Sequence, residues 1–82
     1  MTGPHVSGTT RLYPVLGDPV AQVRAPGLLN PLLAELGTDA LVVPVHVRPD
    51  ALAEVVRGLM RAGNVGGLLV TVPHKAAVCA LV

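Results

Sequence analysis

The feature that most constrains this chain is an alternation of two apolar periodicities. Three short apolar runs rich in β-branched residues, over residues 11–16, 40–47 and 66–72, are separated by two segments with helical spacing. In the first such segment Leu28, Leu29, Leu32, Leu33 and Leu36 mark a helix over about residues 26–36, with Gly37 as its stop. In the second, Leu52, Val55, Val56, Leu59 and Met60 fall at i, i+3, i+4, i+7 and i+8. Asp50 and Glu54 lie near its start and Arg57 and Arg61 near its end, as the helix dipole favours, and Gly63-Asn64 closes it. Pro73 can open a third helix, continued over residues 76–82. Strand, helix, strand, helix, strand, helix predicts an α/β fold: a three-layer domain with a mostly parallel sheet covered by helices.

Three details qualify these elements. Pro31 inside the first helix lacks a backbone donor, so a bend or restart is expected there, with Asn30 as a possible N-cap. Pro44 in the second run cannot donate to a ladder and predicts an edge strand or a bulge. The third run does not alternate, as suits a strand covered on both faces. Residues 1–10 are polar with Gly and Pro and read as a flexible leader, leaving 11–82 as the domain. The final apolar helix carries no cap and no polar ending, so the reading expects an incomplete domain.

Composition narrows the function classes. The 82 residues are 51% hydrophobic and 13% charged, which excludes intrinsic disorder. There is no Phe or Trp and one Tyr, so the core must be Leu, Val and Ala. A net charge of +1 and a single aromatic argue against nucleic acid as a partner. No run approaches the ~20 apolar residues of a membrane span, and no secretory signal is visible. The lone Cys79 cannot form an internal disulfide and fits a reducing compartment, so the cytoplasm is expected. His5, His46 and His74 show no metal-ligand spacing, and no metal site is expected. Residues 63–67 hold three glycines but precede a strand instead of following one, so they are not a dinucleotide cradle.

Chemistry is expected at two segments. One is Gly17-Asp18-Pro19 through Gln22, Arg24 and Pro26, directly after the first strand. The other is Val70-Thr71-Val72-Pro73-His74-Lys75, directly after the third. In a parallel sheet both fall at the carboxyl edge, where open α/β folds place ligands. Lys75 is the only lysine and sits in the first turn of a helix, where the dipole disfavours a cation and suits proton transfer. A lysine there is also an ordinary solvated surface charge, Thr71 an ordinary helix cap, Arg24 a plain surface residue and Gln22 a loop filler. Asn30 reads equally as a cap or a ligand, and Cys79 as a small packing residue.

At these segments the sequence resembles the shikimate dehydrogenase family. Gly17-Asp18-Pro19-Val20-Ala21, Pro26, Asn30 and Leu36-Gly37 carry part of the resemblance. Val70-Thr71-Val72-Pro73-His74-Lys75 carries the most, matching the family's Asn-Val-Thr-x-Pro-x-Lys signature without its Asn. The resemblance implies an NADP-dependent oxidoreductase of the shikimate pathway of aromatic amino acid biosynthesis. It would reduce a ketone on a cyclic hydroxy acid of the 3-dehydroshikimate type, and reverse the step. It implies Lys75 as the catalytic lysine, acting with an aspartate, and Thr71 as a substrate-binding hydroxyl. The aspartate, a second substrate asparagine and the cofactor domain lie further along in the family, so no cofactor-binding residue is expected in this chain, and the chain alone is expected to be inactive.

The departures bear on substrate. Where the family reads His-Ser-x-Ser-Pro, with both serines on the substrate carboxylate, this chain has Gln22-Val23-Arg24-Ala25-Pro26. The family's Asn before Val-Thr is Leu69. Each charge-assisted hydrogen bond is worth roughly 1.5–3 kcal/mol, so losing two weakens shikimate binding. Arg24 could grip a carboxylate bidentately, but a residue between two inward positions points away. Two further readings remain: a non-catalytic small-molecule binding or sensor module on the same domain, and a structural α/β fragment of a disrupted gene.

Overall fold

The computed structural model describes residues 6–71. Its elements are β1 (Arg11–Gly17), α1 (Ala25–Glu35), β2 (Ala40–His46), α2 (Leu52–Met60) and β3 (Leu69–Val70), with a 3-10 turn at Pro49–Ala51 leading into α2. The third helix expected after Pro73 lies outside the described residues. The strands form one parallel sheet in the order β2-β1-β3. The chain therefore winds from β1 to its neighbour on one side, then returns past β1 to the other. Right-handed crossovers in opposite directions put α1 and α2 on opposite faces, giving the expected helix–sheet–helix layering.

Side-chain alternation sorts the sheet into those two faces. Leu16 from β1 joins Val47, Leu52 and Val56 in a fully buried cluster beneath α2, with Val45, Val55, Leu59 and Leu68 around it. Burying a Val or Leu side chain contributes about 1.5–3 kcal/mol, so this cluster is the main stabilising element described. Tyr13 and Val42, opposite each other in the register, lie on the α1 face. With no Phe or Trp to fill that layer, a cavity of about 470 Å³ remains there, lined by Tyr13, Leu29, Leu33, Val42 and Leu69 among others.

The first helix departs from expectation at Pro31. It runs unbroken from Ala25 to Glu35, and Asn30 does not cap a restart. Instead the Asn30 side chain reaches β2: Nδ2 donates to the Val42 carbonyl at 2.9 Å, and Oδ1 accepts the Val42 N–H at 2.8 Å. This two-point clip replaces the anchorage that a missing intrahelical bond removes. The helix ends as Gly37 predicts. Gly37 takes φ +68, Thr38 N–H donates to the Leu33 carbonyl at 2.9 Å and Gly37 N–H to Ala34 at 3.1 Å, which is the Schellman arrangement. α2 stops at Met60, before Gly63-Asn64.

Pro44 lies in β2 opposite Val15, and β2 is an edge strand among the described residues, where a missing donor is tolerated. β3 is shorter than the run over residues 66–72. Val65 bridges Leu12, yet Leu69 pairs with Val15, so one extra residue is accommodated between the two contacts. Tyr13 explains the interruption: a Cβ on Gly66 would stand 2.5 Å from its ring and hydroxyl. The aromatic ring lies against that glycine.

Residues 7–10 contact the turn before β2. Thr10 is buried, its Oγ1 donates to Asp39 Oδ1 at 2.7 Å and accepts from the Ser7 N–H at 2.9 Å, and Thr9 also donates to Asp39. Asn64 Nδ2 donates to the Thr10 carbonyl. Among the described residues no helix is long and apolar enough to cross a membrane.

Candidate functional site

The strand order 2-1-3 puts a topological switch point between β1 and β3, and ligands of open α/β sheets bind outside the carboxyl ends of the strands at such a point. At that place Gly17 and Thr71 meet. Thr71 N–H donates to the Leu16 carbonyl at 3.0 Å, extending the β1–β3 ladder by one residue. Its methyl lies so close to Gly17 that a Cβ there would be 2.6 Å from Cγ2. That Cβ would also be 3.3 Å from the Pro19 carbonyl oxygen and 3.3 Å from Val20 Cγ1. Only glycine fits at position 17, and its lack of a side chain brings Thr71 against the end of β1.

The loop from β1 to α1 starts from the same carboxyl edge. It begins with a cis peptide bond between Asp18 and Pro19. Gln22 Nε2 donates to the Pro19 carbonyl at 3.0 Å, and Val23 N–H donates to Val20 at 3.0 Å. Gln22 is thus a loop brace. Val23 and Ala25 are half-buried and Arg24 between them is exposed, so Arg24 points away from its neighbours' side.

On the β2 side, His46 Nε2 lies 2.6 Å from Asp18 Oδ1, across the last register pair Gly17–His46. Sequence reading missed this pair. No local signal marks it, because two apolar runs of unequal length do not fix the register that sets His46 beside Gly17. The pair ties the end of β2 to the turn after β1. Val47 N–H donates to the Gly17 carbonyl at 2.9 Å and reinforces the tie.

Of the residues singled out from sequence, Gly17, Asp18, Pro19 and Thr71 are brought together at this edge. Asn30 is not among them, being committed to Val42. Leu69 lies in β3 opposite Val15 and lines the cavity under α1. Lys75, His74 and Cys79 lie outside the described residues. Among the described residues no cluster of three or more His, Cys, Asp or Glu is placed to hold a metal. The turn after β1 does not fit a dinucleotide phosphate either: Gly17 is its one glycine, and the next helix starts eight residues after that glycine.

The family model described as the shikimate dehydrogenase substrate binding domain matches residues 15–82. The chain belongs to the shikimate dehydrogenase substrate-binding domain family. The matched region takes in β1's end, the crevice turn, Thr71 and the segment of Lys75. The shikimate dehydrogenase (NADP(+)) of Rubrobacter xylanophilus is 43% identical over 82 residues, which are 100% of this chain and 28% of that protein. The solved shikimate dehydrogenase in complex with NADP+ superposes with a TM-score of 0.89 at 26% identity, covering 96% of this chain and 27% of its own. That from Listeria monocytogenes, in complex with shikimate and NAD, gives 0.84 at 29% identity, covering 93% and 26%. The chain thus spans about a quarter of the length of the shikimate dehydrogenases it matches.

Proposed function

We propose that the chain is the substrate-binding domain of an NADP-dependent, shikimate-dehydrogenase-like oxidoreductase acting in the cytoplasm. Its substrate is a small cyclic hydroxy acid, held over the carboxyl edge of the sheet where Gly17 and Thr71 meet. The single observation carrying this reading is the contact of Thr71 with Gly17 at the β1–β3 switch point. Thr71 donates a hydrogen bond to a ring hydroxyl. Lys75, four residues on in the matched motif, handles the proton at the reacting hydroxyl oxygen. NADP would supply or accept the hydride, and no residue of this chain is assigned to it.

Half-buried Val23 and Ala25 favour a second reading, in which the crevice takes a ring compound less dependent on its carboxylate and serves as a binding module. The test exchanges this chain for the matching segment of the Rubrobacter xylanophilus relative. Steady-state turnover of shikimate is then measured beside calorimetric binding. The enzyme reading expects Lys75→Ala to lower turnover by about 10²–10⁴-fold, the usual worth of a positioned acid–base group, with binding weakened far less. Lys75→Arg fails nearly as badly, because a guanidinium stays protonated and has a different shape. Turnover within a few-fold of the parent in Lys75→Ala would remove Lys75 from the mechanism.

A further inference from the structure

Three residues stand in one row at the carboxyl edge of the sheet. Gly17 pairs with His46 in the β1–β2 register. On its other side the bond from Thr71 N–H to the Leu16 carbonyl continues the β1–β3 ladder and sets Thr71 beside Gly17. Two strand spacings, about 10 Å, separate the His46 and Thr71 backbones. The turn after β1 crosses this row. Thr71 Cγ2, the Pro19 carbonyl oxygen and Val20 Cγ1 all come within 3.3 Å of the point that a Gly17 Cβ would occupy. Asp18, at the start of the turn, reaches the other way and accepts from His46 Nε2 at 2.6 Å. His46 and Asp18 are 52% and 30% exposed, and pairs so exposed contribute little to folding stability. What the pair does is set where the turn lies. Thr71 is β-branched and has few χ1 rotamers, so confining its methyl over Gly17 also fixes the direction of its hydroxyl.

We propose that His46 and Asp18 are positioning residues for substrate binding. Their bond seats the turn over Gly17, and the seated turn holds the Thr71 methyl, so that the Thr71 hydroxyl is aimed at the substrate. The proposal rests on the reading of Thr71 as a substrate-binding residue. Neither His46 nor Asp18 touches substrate in this account. An imidazole donates through Nε2 to a carboxylate whether neutral or protonated, so another N–H donor of similar reach can replace it. Thr71 holds the substrate before and during the reaction alike, so its displacement raises KM and leaves kcat in place.

Two measurements test it. In the enzyme carrying this chain in place of the Rubrobacter xylanophilus segment, His46→Ala and Asp18→Ala should each raise the KM for shikimate by about three- to tenfold, with kcat within about twofold of the parent. The two changes together should cost no more than either alone, because each breaks the same bond. His46→Gln places an amide donor opposite Asp18 and should bring KM back to within about twofold of the parent. In the 82-residue chain, amide NMR should show Val20 and Thr71 moved by His46→Ala and by Asp18→Ala, and returned by His46→Gln. An unmoved Thr71 amide, an unchanged KM in an enzyme that turns over shikimate, or His46→Gln as impaired as His46→Ala would overturn the proposal. A moved Thr71 amide beside a parent enzyme that does not turn over shikimate would leave the seating of the turn standing and overturn the substrate reading.

Discussion

Thr71 presses its methyl against the Cα side of Gly17, leaving no room for a Cβ between β1 and β3. The contact joins the two segments on which the substrate reading rests. Gly17→Ala should therefore cost about 1–3 kcal/mol of stability by overpacking. It should also push Thr71 off its position and weaken shikimate binding by roughly tenfold, the worth of one good hydrogen bond. Gly66→Ala is the matched control. It collides with Tyr13 at the other end of the strand pair, so it should destabilise comparably and leave the affinity of the remaining folded protein unchanged. Thermal denaturation and calorimetric titration of both variants check this.

A second expectation concerns the clip between α1 and β2. Asn30 both donates to and accepts from Val42, a combination that a carboxylate cannot reproduce. Asn30→Ala should cost about 1–3 kcal/mol by leaving Val42 unpaired. Asn30→Asp should be destabilised at neutral pH, where an ionised side chain accepts but does not donate. A protonated Asp regains the donor, so the deficit relative to the parent should shrink as pH falls through the carboxylate range. Urea denaturation of parent and variant at matched pH values gives the comparison. A deficit that stays constant or grows toward acid would contradict the clip.

The crevice wall yields a third. Val23 and Ala25 are half-buried on the loop and offer no hydroxyl. Val23→Ser and Ala25→Ser together, in the exchanged enzyme, should lower the Michaelis constant for shikimate by roughly tenfold or more, as two carboxylate donors are restored. Ordinary shikimate efficiency without those changes would show that the carboxylate is held by other groups.

The pattern of what sequence could and could not disclose has physical reasons. Helix α2 was legible because an amphipathic period and dipole-matched charges act locally. The stop of α1 was legible because only a glycine takes φ +68 easily at Gly37. The strand order, the uninterrupted helix through Pro31 and the break in β3 depend on partners distant in the chain. Asn30 acts on Val42, and Tyr13 acts on Gly66, through packing that no local propensity records. The carboxyl edge where Gly17 and Thr71 meet was legible from the parallel topology. The His46–Asp18 tie needed the strand register, which emerges only when β1 and β2 are paired.

The most direct test of the central claim is an amide NMR titration of the 82-residue chain with shikimate. The account predicts saturable shifts at Gly17, Asp18 and Thr71, with Tyr13, Leu33 and Gly67 around the cavity under α1 unmoved. Shifts gathered at that cavity, or none at the carboxyl edge up to millimolar shikimate, would contradict it.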